Sequence, residues 1–479
     1  TGHPLAKRFR FFAGRRSSEC RRMRMRRPCG ASVITCLVLV ELRRTLGRRG
    51  QLHRQETPRR QRPLYTRSLD DGLLSTSDPN ATRVWFVSVL EKVSKAPEDL
   101  CSGASCQCGE MSGVGLVTAN CTEAGIRELL DSRDEVDFAE EDGTFELDLP
   151  PQPSESSMAS VASPLTWNLQ RVALSNATTT GRGVRIWVVD TGLSPTHEDL
   201  KGRVKLVGYF KYGTFRSCWS NEDANCFDIL GHGTHVAGTA AGTRFGIATD
   251  AQVLSIRVFE TDGKASSIKI VGALNHIARN RQAGDVVNLS LGGNGESPAI
   301  TAALKRLTSL GVHIVVAAGN QNEDACYGSL SRHKPIFVVG ASDSDDEKAE
   351  FSNWGECLDM YAPGQMIVAA DFRADTAYTG MSGTSMAAPH AVGVAALYLE
   401  SNKSVSPEEL YHFLKASATW GALSELRPGD PNRLLRIGAI KPEQSEQIIS
   451  SGEVDSWDSG ALGRGGLAAL LLVVLGAGA

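Results

Sequence analysis

Short runs of apolar, largely β-branched residues recur through the middle of the chain, at 184–189, 253–258, 286–289, 312–317 and 336–339. Few polar residues interrupt them, so each reads as a strand covered on both faces. Between them, segments such as 268–279 and 298–310 carry apolar residues at helical spacing. Strands alternating with helices predict a parallel α/β sheet, with any active site at the carboxyl ends of its strands.

The pattern ahead of residue 164 is different. Residues 83–90 (Arg-Val-Trp-Phe-Val-Ser-Val-Leu) predict a strand, 113–118 a second, 123–132 a helix and 134–142 a return to extended chain. This β–β–α–β order describes a small α+β module over 81–148. A Pro- and Ser-rich stretch at 149–163 reads as an exposed linker. The boundaries that follow are 1–80, 81–148, 149–163, an α/β domain at 164–440 and a tail at 441–479.

Composition narrows the class. Of 479 residues, 41% are hydrophobic and 22% charged, which suits a packed globular core and excludes a wholly disordered chain. Residues 1–68 hold 19 Lys and Arg against three acids, so the net charge of −3 leaves the remainder strongly acidic. Basicity confined to the front end speaks against a nucleic-acid partner. Within it, an apolar run at 31–40 behind Arg-rich residues 21–27 resembles a secretory signal, set far inward; a misassigned start is the alternative. Arg59, Arg60 and Arg62 could form a basic processing site. The apolar end, 467–475, preceded by Ser450, Ser451 and Gly452, resembles a glycolipid-anchor signal or a shortened membrane helix, hence a membrane tether.

Eleven cysteines fall into three groups. Cys20, Cys29 and Cys36 lie in the basic front, Cys101, Cys106, Cys108 and Cys121 in the small module, and Cys218, Cys226, Cys326 and Cys357 in the α/β part. Two even groups suit disulfides in an oxidising compartment, with reduced thiols as the alternative. Sequons begin at Asn80, Asn120, Asn176 and Asn402; a fifth, at Asn288, falls inside an apolar strand.

Three motifs stand where chemistry needs them. Asp190, in Val-Val-Asp-Thr-Gly, closes a strand at the carboxyl edge of the sheet. Asp-Thr-Gly alone is weak, and an aspartic protease would need a second copy in a β-rich chain. His232 lies in Gly-His-Gly-Thr-His-Val-Ala-Gly at the head of a helix of small residues; His232 and His235 are three apart with no Glu between them, unlike a zinc-protease helix. His235 reads as a packed structural residue. Ser385, in Ser-Gly-Thr-Ser-Met-Ala-Ala-Pro-His, opens a long apolar helix, where a plain helix cap is the simpler reading.

Asp, His and Ser in that order along an alternating α/β chain resemble the subtilisin-like serine proteases, the subtilases, from about residue 167 to 418. The Ala317-Ala-Gly-Asn320 and Asp324-Ala-Cys326 segments, with Gly355-Glu-Cys357-Leu-Asp359, are most similar to the secreted proteinase K-like and proprotein convertase branch. The resemblance implies a subtilisin-like sheet and a serine endopeptidase needing no cofactor for catalysis. Ser385 would be the nucleophile, His232 the general base and acid, Asp190 its orienting partner and Asn320 the side-chain oxyanion donor.

It further implies that Ser290, Leu291 and Gly292 pair with peptide or protein substrates as an added strand, and that Ala317, Ala318 and Gly319 wall the pocket for the residue before the cut. No acidic cluster appears there, so broad specificity with an apolar preference is expected; Glu296 could bias it. Cys326–Cys357 matches a family disulfide, and Cys218–Cys226 is a plausible local staple. Asp359, with backbone groups near Lys334 and Ile336, resembles a calcium site. The module at 81–148 resembles the inhibitory propeptide, cut off in the 149–163 linker. The alternative is a chain that keeps this propeptide bound and works as a binding protein.

Overall fold

The computed structural model describes residues 64–65, 81–89, 97–102, 105–111, 116–147, 166–211, 213–293 and 297–438. The signal-like run, the linker at 149–163, Glu296 and the apolar tail lie outside the described residues. No helix among the described residues is long and apolar enough to cross a membrane.

The N-terminal module comprises β1 (Leu64–Tyr65), β2 (Arg83–Val89), β3 (Cys106–Met111), β4 (Leu116–Cys121), α1 (Glu123–Ser132), β5 (Val136–Glu141) and β6 (Thr144–Glu146). Its sheet runs β1-β5-β2-β4-β3. The β3 strand is an addition to the expected β–β–α–β order. Its Cys- and Gly-containing sequence lacks apolar alternation, but Cys106 stands opposite Cys121 in the ladder and is disulfide-bonded to it. A second disulfide joins Cys101 to Cys108. Helix α1 is capped by Thr122, whose hydroxyl accepts the Gly125 N–H, and buries Ile126, Leu129 and Leu130 on the sheet.

The larger part carries β7 (Arg185–Asp190), β8 (Val204–Lys211), β9 (Thr214–Ser217), α2 (His232–Ala241), β10 (Gln252–Arg257), β11 (Lys264–Ser266), α3 (Ser267–Asn280), β12 (Val286–Leu289), α4 (Pro298–Ser309) and β13 (His313–Ala317). It continues with β14 (Phe337–Ser342), β15 (Met360–Pro363), β16 (Ile367–Ala370), β17 (Tyr378–Met381), α5 (Thr384–Leu399), α6 (Pro407–Ser417), β18 (Thr419–Trp420) and β19 (Arg433–Leu434). Ten strands form one sheet in the order β18-β19-β15-β14-β13-β12-β7-β10-β8-β9. All neighbours from β19 to β8 are parallel; the edge pairs with β18 and β9 are antiparallel.

Both sheet faces are apolar because both are covered. Along β7, Ile186 and Val188 join one core with α2, α5 and α6, while Trp187 and Val189 join another with α3 and α4. Burying each such aliphatic side chain contributes about 1.5–3 kcal/mol. From β7 the chain adds β8 and β10 on one side, then β12 to β15 on the other. That reversal opens a crevice at the carboxyl ends of β7 and β12.

The module sits on the α3–α4 face. Phe86, Leu116, Phe138 and Phe145 join the core that holds Ile270, Leu274 and Ile300. Strand β6 pairs antiparallel with β11, Phe145 opposite Ala265, and Glu146 bridges to Gly292 on its other side. The module's last described residues therefore lie as a strand between two edges of the larger domain.

Candidate active site

Three elements bring the motif residues to that crevice. Asp190 ends β7 and is fully buried; its Oδ1 accepts the Thr191 N–H at 2.7 Å. His232 opens α2, and its Nδ1–H donates to the same Oδ1 at 2.8 Å. Only glycine fits next to it. A Cβ on Gly233 would stand 2.2 Å from the Gly192 carbonyl oxygen and 3.2 Å from Asp190 Oδ1.

Ser385 occupies the first turn of α5, with Gly383 as the cap. Its Oγ donates to the Ser290 carbonyl at 3.3 Å, and Ser290 Oγ donates back to the Ser385 carbonyl at 2.9 Å. Pro389 explains the second bond. Lacking an N–H, it leaves the carbonyl four residues earlier without a helical partner, and Ser290 supplies the donor. Asn288 holds Ser290 through a 2.9 Å bond from Nδ2 to Oγ. The register sets Val188 of β7 beside Asn288 of β12, so the Asp190–His232 and Ser290–Ser385 pairs flank one another on adjacent strand ends. Nε2 of His232 has no hydrogen-bond partner among the described residues.

The imidazole environment has three parts. Burial disfavours the charged ring, but the adjacent Asp190 carboxylate and its hydrogen bond outweigh this, with Asp228 adding to them, so the His232 pKa is raised above 6.5. His235 is different. Its Nε2–H donates to the Ile367 and Thr379 carbonyls, and burial lowers its pKa to about 4, in keeping with a neutral packed residue. His390 is likewise buried and lowered to about 4, its Nδ1–H on the Met386 carbonyl and its Nε2 accepting from Asn168.

Asn320 follows β13. Its Oδ1 accepts the Thr384 N–H at 2.8 Å and the Thr384 hydroxyl at 2.9 Å, which assigns Nδ2 as the donor end of the amide. Ser290, Leu291 and Gly292 extend past β12, and Gly292 already pairs with Glu146. Ala317, Ala318 and Gly319 lead from β13 to Asn320, with the Gly319 N–H on Thr384 Oγ1 at 3.1 Å.

Residues 181–440 match the subtilase family. The chain belongs to that family. It is similar to an extracellular serine proteinase of Thermus sp. strain Rt41A, 39% identical over 283 residues, covering 57% of this chain and 67% of the relative. The alkaline serine exoprotease A of Vibrio alginolyticus is 36% identical over 325 residues, covering 66% of this chain and 57% of that one. Among solved structures, a cold-adapted subtilisin-like serine proteinase aligns at 37% identity and a TM-score of 0.54, covering 58% of this chain and all of that one. This subtilase is a serine endopeptidase.

One supporting residue of the site has no motif of its own. Asp228 of the subtilase accepts N–H groups from Leu230, Gly231 and Thr234 and the hydroxyls of Thr191 and Thr234, at 2.6 to 3.1 Å. It thus ties the start of α2 to the end of β7. An acid a few residues ahead of a helix that opens on Gly-His-Gly is the only sequence signal for it. Among the described residues four disulfides occur, including Cys326–Cys357 and Cys218–Cys226.

At Asp359, where calcium is the expectation, the structure places two lysines. Its buried carboxylate accepts the Val338 N–H at 2.9 Å and meets the ammonium groups of Lys415 at 2.7 Å and Lys334 at 3.2 Å. Two cations already balance one anion, so this donor set does not fit a divalent metal. Among the described residues no cluster of three or more His, Cys, Asp or Glu is arranged to hold one.

Proposed function

We propose that the subtilase is a self-processing, secreted zymogen that cuts peptide bonds with Ser385, His232 and Asp190. The observation that carries this reading is the buried Asp190–His232 pair beside Ser385 at the reversal of strand order. Ser385 attacks the scissile carbonyl while His232 takes its proton and later passes it to the leaving amine. Asp190 holds the ring in the Nδ1–H tautomer and balances its charge. Asn320 Nδ2 and the Ser385 N–H receive the oxyanion. None of these steps uses a cofactor.

The module at 81–148 acts as the inhibitory propeptide, cut in the 149–163 linker. Strand β6 supports this, because an antiparallel segment between β11 and Gly292 lies as a bound peptide substrate would. The buried Phe145 ring packs where a side chain on Gly293 would stand. Cleft walls of Gly and Ala, with no carboxylate cluster among the described residues, support broad specificity. Relatives named as proteinases favour this enzyme over a permanently inhibited binding protein. The extracellular relative and the four disulfides favour secretion, with the apolar tail at 467–475 as a membrane tether. A fluorophosphonate probe is expected to label the mature enzyme on Ser385 and to fail on a folded His232→Ala variant; labelling elsewhere would overturn the assignment.

A further inference from the structure

The loop at 318–323 carries Asn320 and one wall of the cleft, and a single buried side chain on a different segment organises it. Asn353 is almost wholly buried. Its Oδ1 accepts the N–H groups of Gln321 at 3.0 Å and Glu323 at 3.1 Å. Its Nδ2 donates to the Ala318 carbonyl at 3.1 Å and to Gln321 Oε1 at 3.0 Å. Its own N–H donates to the Gly319 carbonyl at 3.0 Å. A primary amide offers two donor hydrogens and one acceptor oxygen with two lone pairs, and here the loop uses all of them.

The connection reaches Asn320. Gln321 Oε1, held by Asn353, also accepts the Asn320 N–H at 3.1 Å. On the other side Thr384 grips Asn320 Oδ1. The loop has no slack against the amide. Gly319 adopts φ +102°, and a Cβ there would stand 2.4 Å from Asn353 Nδ2.

We propose that Asn353 is a positioning residue for the reaction, acting through Gln321 and the 318–323 loop to aim the Asn320 amide at the developing oxyanion. The proposal rests on the role given to Asn320 above. An oxyanion donor works only if it is preorganised where the charge will form, and small misplacements at such a point cost heavily in rate. Because the oxyanion exists only in the transition state, a loosened Asn320 lowers kcat and leaves KM nearly unchanged. A residue that merely packed the core would instead act equally with or without Asn320.

A double-mutant cycle on the enzyme matured from the full chain separates the two. Asn353→Asp and Asn353→Leu are each made with Asn320 intact and with Asn320→Ala, and kcat and KM are measured on one peptide amide. With Asn320 present, kcat is expected to fall about 10- to 100-fold at constant KM. In the Asn320→Ala background the same changes are expected to cost less than about 3-fold. Should Asn353→Leu fail to fold, the near-isosteric Asn353→Asp and the exposed Gln321→Ala carry the same cycle. Equal losses in both backgrounds, a loss confined to KM, or no loss would overturn the proposal. If Asn320→Ala itself leaves kcat unchanged, the oxyanion assignment fails and the proposal with it; if Asn320→Ala is costly but the cycle is additive, only the proposal falls.

Discussion

The Glu140 carboxylate of the N-terminal module accepts the Ala299 N–H of the protease domain at 2.7 Å, in the first turn of α4. Two residues on, Asp142 Oδ1 accepts the Ile268 N–H at 3.0 Å and the Ser267 hydroxyl at 2.8 Å, at the start of α3. The last strands of the module thus bring two acids to two helix N-termini, where backbone N–H groups lack partners and the dipole favours negative charge.

Glu140 is buried, so its bond to Ala299 falls among the charge-assisted ones, worth about 1.5–3 kcal/mol. Replacing it with alanine is expected to speed dissociation of the cleaved module about 10- to 100-fold. Activity released after dilution of the processed complex measures this. An unchanged rate would show that the contact does not hold the module.

The pH profile should follow His232. Its neutral form is the proposed base, and its pKa is raised, so the acid limb of kcat/KM is expected at a midpoint above the ordinary 6.5. Asp190→Asn removes a charge that opposes the effect of burial, which should move the midpoint down and drop kcat by roughly 10⁴ as the ring loses its tautomer. An unmoved midpoint in that variant would assign the limb to another group.

Three buried histidines are expected to contribute to the loss of stability in acid. His235, His313 and His390 are each lowered to about 4 by burial. A folded pKa below the unfolded value means that the unfolded chain binds the extra proton first. Their stabilisation is complete above about pH 6.5 and is lost as pH falls toward 4, at about 1.4 kcal/mol per pH unit for each ring. Urea midpoints between pH 7 and 5 test this. His313→Leu should make the slope shallower by about one proton, and a slope equal to the parent's would exclude His313 from the linkage.

Lys334 and Lys415 both pair with Asp359. Calcium titration of the parent and of Asp359→Asn is expected to give the same number of bound ions. Loss of one ion in the variant would restore a calcium site there.

What was legible in the sequence tracks how far each feature acts along the chain. The strand at 286–289 is buried on both faces and apolar at three of its four positions, so its place inside a covered parallel sheet showed in the residues themselves. Asp190, His232 and Ser385 sit in long motifs, because glycines and small residues must surround them for backbone to approach so closely. Strand β3 did not show, since its Cys and Gly carry no period-two pattern and its place depends on Cys121. Asp228, Glu140 and Asn353 were equally hidden: a polar side chain that serves backbone amides looks in sequence like any surface residue. The lysines at Asp359 were hidden too, because Lys334 and Lys415 reach it from segments 25 and 56 residues away.

The most direct measurement is self-cleavage. Residues 69–460 are expressed beside a Ser385→Ala twin, and chain length is followed by intact mass. A cut within 149–163 in the parent alone is the expected result, and it would establish a working triad and a true propeptide together. Two folded, uncut chains would contradict the account and leave the family resemblance as one of fold.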